Sequence, residues 1–184
     1  MGTLTAFEWI SLDGVFDADS MVEWFFPYDS LDRRIFIRQT YGEADGLLMG
    51  RYTYEMLAPG WSSMGPDEMD GLAGVLTQTP KYVASAHGPV ANWGETILFD
   101  GDTVAEVKKI KEQVGHLMLI GSRTVARELA QAGLIDDYCL LVQPHVVGRG
   151  ERIWTQEMRA TLKLTKIQQF DPGQLVLRYQ RIRS

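Results

Sequence analysis

Two short runs, "DGLLMG" (45–50) and "HLMLIG" (116–121), constrain this chain more than any other feature of it. Neither alternates polar with apolar residues, so each fits a strand buried on both faces. Such strands need helices above and below the sheet they form. Each run ends in glycine and passes at once into a helical pattern, "RYTYEML" after the first and "SRTVARELAQAG" (122–133) after the second. In the second pattern Val125, Leu129 and Ala132 share one face, and Gly133 is the stop.

The other segments extend this alternation. "TLTAFEWIS" (3–11) reads as a first strand followed by the turn pair Asp13-Gly14, and "KYVASA" (81–86), "TILFD" (96–100) and "DDYCLLVQP" (136–144) read as further strands. Ser30 is placed to cap a helix running through Tyr41 to a stop at Gly42. Thr103 with Glu106 fits a capping box for another helix, with Val104, Val107, Ile110 and Val114 on one stripe and Gly115 at its end. Residues 15–29 form an aromatic-rich loop, and 59–71 an irregular excursion rich in glycine, proline and serine. "LKLTKIQQF" (162–170) and "QLVLRYQRI" (174–182), joined by Asp171-Pro172-Gly173, alternate in the manner of an antiparallel hairpin. The expectation is an α/β fold: a mainly parallel central sheet with helices on both faces, made mixed by a C-terminal antiparallel hairpin. A chain of 184 residues fits one domain, 1–184.

Composition removes several functional classes. Hydrophobic residues are 45% and charged residues 23%, ordinary values for a folded soluble domain. The apolar runs fall well short of the ~18 residues that cross a bilayer. The N-terminus "MGTLTAFEWISLDG" carries an acid where a secretion signal carries lysine. The lone Cys139, in "YCLLV", has no partner for an intrachain disulfide and fits a reducing compartment, so a cytoplasmic protein without membrane contact is expected. A net charge of −6 argues against nucleic acid as a partner. His87, His116 and His145 show no metal-ligand spacing, so no metal is assigned.

The chemistry concentrates at the two seams "LLMG-RYTYEML" and "LMLIG-SRTVARELA". Each passes from strand through glycine to a helix whose first turn carries an arginine and a threonine. A helix N-terminus presents unpaired N–H groups and the positive end of the dipole, which together make an anion site. Thr53 and Thr124 can add hydroxyls, and Arg51 and Arg123 charged forks. Two matching seams in one acidic chain suit a dinucleotide, although the G-x-G-x-x-G fingerprint is absent.

The stretch "LLMGRYTYEML" resembles the strand-to-helix signature of the dihydrofolate reductase superfamily. The set "SLDGV", "LLMGRYTYE", "KYVAS", "LIGSRTVARELAQAGLIDDYCL" and "PHVVGRGERIW" resembles, more closely, the reductase domain at the C-terminus of the bifunctional riboflavin-biosynthesis deaminase-reductase. That resemblance implies a dihydrofolate-reductase-like three-layer sandwich and an NADPH-dependent reductase acting on a small heterocycle, nearest in role to 5-amino-6-(5-phosphoribosylamino)uracil reductase. It implies cofactor contacts at Asp13, Gly14, Gly50, Arg51, Thr53, Ser85, Gly121, Ser122, Arg123, Thr124 and Val125. Arg51 would lie near the 2′-phosphate and select NADPH over NADH. Ser122 departs from the double glycine of the folate enzymes and suits the riboflavin-type branch. The resemblance also implies a homodimer.

The substrate half is less determined. Asp13 is the candidate catalytic proton donor, or else a turn former. Asp32, like Asp29, either serves the substrate or simply favours the helix start. Trp24, Phe25 and Tyr28 either stack on a flat heterocycle or pack beneath their loop. "VVGRGERIW" (146–154) is either a loop near the cofactor end or a dimer contact. With one cysteine and no H-x-E, the sequence carries no zinc deaminase signature. Dihydrofolate reduction and a non-catalytic NADPH-binding dimeric module stand as alternatives.

Overall fold

A computed structural model describes residues 1–88, 92–155 and 158–182. β1 (Thr3–Ser11) pairs in parallel with β5 (His116–Ile120) on one side and β6 (Asp137–Gln143) on the other. Beyond β5 lie β2 (Gly46–Gly50), β3 (Lys81–Ala84) and β4 (Thr96–Phe99), all parallel. Beyond β6 lie β8 (Leu175–Arg181) and then β7 (Leu162–Gln169), both antiparallel to their neighbours. The order is β4-β3-β2-β5-β1-β6-β8-β7, the mixed sheet that the alternation and the hairpin imply.

The unbroken apolar runs follow from burial on two faces. On one face Phe7, Leu47, Met49, Met118 and Leu141 pack against Phe36 and Tyr41 of α2 (Leu31–Gly42), Tyr54 of α3 (Arg51–Trp61) and Leu72 and Leu76 of α4 (Leu72–Gln78). On the other, Leu4, Ala6, Leu48, Leu117, Leu119 and Leu140 meet Val107 and Ile110 of α5 (Thr103–Gln113) and Val125 and Leu129 of α6 (Arg123–Gln131). Neighbouring residues of one strand thus enter opposite cores, the period of two that makes both faces apolar. The result is a three-layer sandwich. β7 is the outer strand, with lysines at 163 and 166 and a bulge between Leu164 and Lys166, devices that hinder open-ended strand pairing.

Three local readings need correction. Thr103 does not cap α5: Asp102 is the N-cap, and its carboxylate accepts the Ala105 N–H at 3.1 Å. Asp-x-x-Ala satisfies the same unpaired donor one residue earlier, so the Thr103/Glu106 spacing was a coincidence of register. Residues 59–71 are not wholly irregular, because α3 continues through Pro59 to Trp61. α4 had no sequence signal: it has seven residues, starts after Gly71 in a left-handed conformation, and is specified by the core that takes Leu72 and Leu76. The aromatic loop also contains a short helix, α1 (Met21–Trp24), between two 3-10 turns.

Replacing Asp102 by alanine is expected to destabilise the fold by about 1 kcal/mol, the worth of an N-cap, with Thr103→Ala costing clearly less. Urea denaturation of the two variants checks this, and a larger loss for Thr103→Ala would restore the capping-box reading.

Candidate cofactor-binding site

β2 and β5 are adjacent and parallel, yet the helices that follow them leave on opposite faces, α3 into one core and α6 into the other. The carboxyl ends of these strands are therefore a topological switch point, the place where open α/β sheets bind ligands. Both seams converge on it. Among the described helices of eight residues or more, α2 and α5 are capped by Ser30 and Asp102, whereas α3 and α6 have no side-chain cap. The amides at those two N-termini, and their dipoles, are directed at that point.

Ser122 joins the seams. Its hydroxyl accepts the Gly50 N–H at 2.7 Å and donates to Thr53 Oγ1 at 2.9 Å. This reach depends on a left-handed turn, with φ +53° at Gly121 and +64° at Ser122. Only glycine adopts that conformation freely, so Ser122 is held in it by its contacts. A Cβ on Gly121 would come within 3.1 Å of Thr53 Cγ2. Gly50 differs: its φ is −83° and a Cβ there would find only ordinary contacts. The chain itself does not require glycine at 50; a ligand approaching the backbone would. Glu8 of β1 completes the cradle, accepting the Gly121 N–H on Oε2 at 3.0 Å.

The arginines are half-exposed and each has a carboxylate neighbour. Arg51 Nε donates to Glu55 at 2.7 Å, and Arg123 lies 3.6 Å from Glu151. Thr124 is exposed at the start of α6, while the Val125 side chain is buried in the core beside Gly50, so only its backbone is available to a ligand. Ser85 directly follows β3 and its hydroxyl donates to the His87 carbonyl. Gly50, Arg51, Thr53, Gly121, Ser122, Arg123 and Thr124 are thus gathered in one place. Uncapped N-termini on both walls, a linking hydroxyl and a glycine without an internal reason fit the phosphates of a dinucleotide.

The Asp13 carboxylate is engaged on every side rather than free. It accepts from Ser11 Oγ at 2.7 Å, from the Val147 and Gly148 amides at 3.1 and 2.9 Å, and from Arg152 at 3.4 Å. The Ser11 hydrogen bond, with the two amides, holds its pKa down at about 2. Its work is to clasp the segment after β6 onto the loop after β1, which Val15 and Arg152 extend as an antiparallel bridge. Gly14, at φ +78°, turns the chain within that clasp. The same contacts place "VVGRGERIW" at the carboxyl end of the sheet. Trp24 and Phe25 do not face a ligand. Trp24 is 1% exposed with its indole N–H on Ser20 Oγ, and Phe25 stacks on Trp9 with ring centroids 4.1 Å apart. Trp24 and Phe25 fill the core beneath the loop, while Phe26 is exposed. Tyr28 stays half-buried, its hydroxyl 3.4 Å from His145 Nδ1. Asp29 pairs with Arg33, and Asp32 lines a groove of about 250 Å³ between α2 and the terminal hairpin, with Lys166 and Arg178.

The model of the RibD C-terminal domain matches residues 2–176. The chain belongs to the RibD C-terminal domain family. The uncharacterized protein YyaP of Bacillus subtilis (strain 168) is 24% identical over 179 residues, 92% of this chain and 90% of that protein. The crystal structure of a pyrimidine reductase-like protein from Corynebacterium diphtheriae superposes with a TM-score of 0.70 at 15% identity, covering 100% of this chain and 93% of the other. The diaminohydroxyphosphoribosylaminopyrimidine deaminase/5-amino-6-(5-phosphoribosylamino)uracil reductase of Thermotoga maritima gives 0.69 at 13% identity, over 98% of this chain and 57% of that one. At such identities the structural likeness establishes the fold, which is the dihydrofolate-reductase-like sandwich expected above.

In this RibD C-terminal domain, three participants escaped the sequence reading. Glu8 was hidden inside an alternating strand, though an acid in "FEWIS" becomes conspicuous once that strand is central and covered on both faces. Ser11 and Arg152 act through contacts across 2 and 139 positions, and only the second of these lacked any local signal. No group of histidines, cysteines and acids able to hold a metal occurs among the described residues, and no helix is long and apolar enough to cross a membrane.

Because the folded state depresses the Asp13 pKa from 3.8 to about 2, its contribution is complete above about pH 4 and is lost as pH falls toward 2. Asp13→Asn is expected to flatten the acid limb of a urea-stability profile in that window. Parallel profiles for the variant and the parent would contradict the clasp.

Proposed function

We propose that this chain is an NADPH-dependent reductase that transfers hydride to a flat nitrogen heterocycle, in the manner of the riboflavin-pathway pyrimidine reductases. What supports this reading is the union of two uncapped helix N-termini by Ser122, which suits a ligand with two phosphate positions in an acidic protein. The bound cofactor would supply the hydride. The chain's own part is to hold and orient. Amides at the starts of α3 and α6 take the pyrophosphate, Thr53 and Ser122 brace the turn between them, and Arg51 meets the 2′-phosphate with a bidentate fork. The clasped loops after β1 and β6 wall the substrate side, where Tyr28 and His145 stand together as the polar pair nearest a proton-transfer role.

Dihydrofolate reduction is less well supported, because Asp29 is tied to Arg33 and Asp32 faces the terminal hairpin. A protein that binds the nucleotide without turning it over differs in outcome rather than in geometry. A screen of NADPH oxidation over pyrimidine, pteridine and folate substrates decides among the three: oxidation with a pyrimidine supports the proposal, oxidation with dihydrofolate alone replaces it, and tight binding without oxidation supports the module.

NADPH is expected to bind far more tightly than NADH, and Arg51→Ala to lose about ten-fold or more in NADPH affinity, the worth of one charged hydrogen-bonding fork, with little change for NADH. Equal affinity of the parent protein for the two nucleotides would sink the assignment of Arg51. We further propose a homodimer that covers Leu164 and Ile167, exposed by 42% and 58% on the outer strand. Light scattering should give twice 20.8 kDa, and a monomeric mass at micromolar concentration would end that idea.

A further inference from the structure

Glu8 sits mid-strand in β1, flanked by β5 and β6, and is 1% exposed. Oε2 holds the Gly121 amide, whereas Oε1 is enclosed and has no hydrogen-bond partner. Two influences act on its ionisation: burial, which is the larger and raises its pKa well above the ordinary 4.5, and the Gly121 N–H, which opposes it. A lone amide cannot replace the hydration a carboxylate would lose, so burial favours the neutral acid over the carboxylate. Its partner in the β6 register is the apolar Leu140, and the ionisable group coupled to it is Tyr41 of α2, whose own hydroxyl is raised first by burial and then by Glu8.

We propose that Glu8 is a positioning residue for the nucleotide: by holding the Gly121 amide from within the sheet it fixes the left-handed Gly121–Ser122 pair, and through Ser122 the joint between the two helix N-termini. The proposal rests on the nucleotide reading above. Its consequence is a linkage. A carboxylate formed at Glu8 repels an anion held by the Gly121–Ser122 turn, so nucleotide affinity falls as Glu8 ionises, and a bound nucleotide in turn favours the protonated acid.

The test is NADPH binding by fluorescence titration from pH 7 upward, where a phosphate with a second pKa of about 6 is already mostly ionised and its remaining ionisation would strengthen binding rather than weaken it. Parent affinity is expected to fall with rising pH. Glu8→Gln keeps an acceptor for Gly121 and cannot ionise, so it should bind as the parent does at pH 7 and show no fall. Glu8→Leu removes the acceptor and should bind about ten-fold more weakly at every pH, the worth of one hydrogen bond. A parent profile without pH dependence, or a Glu8→Gln profile parallel to the parent's, overturns the proposal. Should Glu8→Gln fail to fold, proton uptake by the parent on binding NADPH, measured by calorimetry in two buffers of different ionisation enthalpy, decides instead: uptake above neutral pH supports the linkage and none overturns it. NADPH binding that ignores Glu8 leaves the reductase reading intact, whereas failure of the parent to bind NADPH at all removes that reading and this one together.

Discussion

The Ser122 hydroxyl is the contact on which the candidate site depends. It accepts a hydrogen bond from the Gly50 N–H at the end of one strand and donates one to Thr53 Oγ1 in the first turn of the helix beyond, while belonging itself to the neighbouring seam. Two helix N-termini that would otherwise be separate become parts of one candidate site. The reach is possible because residues 121 and 122 are both left-handed, and the conformational cost of putting serine there is offset by hydrogen bonds that a right-handed backbone could not make.

Around that joint the molecule treats its helix ends unequally. α2 and α5 spend a serine and an aspartate on their own N-termini, while α3 and α6 leave theirs open. An uncapped N-terminus is a stability cost of about 1 kcal/mol, which a fold tolerates where the open amides have another use. The loops after β1 and β6 are organised on a different principle. There a carboxylate, Asp13, is saturated by donors from both loops and so fixes their spacing. The aromatic cluster likewise supplies a floor: Trp24 and Phe25 are wedged under the loop that carries them, with Phe25 stacked on Trp9 of β1.

Much of this was legible in the chain. β1 was read as 3–11 and is Thr3–Ser11, the hairpin closes at Asp171-Pro172-Gly173 with Gly173 at φ +93°, and Ser30 caps α2 as expected. These features are local: a period, a turn residue, a hydroxyl three positions ahead of an amide. The seams were legible for the same reason, since glycine between an apolar run and an amphipathic helix is a local pattern. The failures share the opposite property. Asp13 reads as a turn former or an acid until Val147 and Gly148, more than a hundred residues later, deliver their amides to it. Trp24 reads either as a stacking surface or as packing beneath its loop until it is seen enclosed, and α4 exists because the core needs Leu72 and Leu76 rather than because its seven residues favour a helix.

By itself, then, the sequence determined the layers, the strand and helix order and the position of two phosphate-type seams, because each is encoded within about ten consecutive residues by hydrophobic period and backbone preference. The tertiary structure decided that the seams are one site, that Asp13 is a clasp, and that Glu8 lies buried against Gly121. Those three facts depend on which strand lies beside which, and strand order is settled by the packing of the whole sheet between its two helical layers.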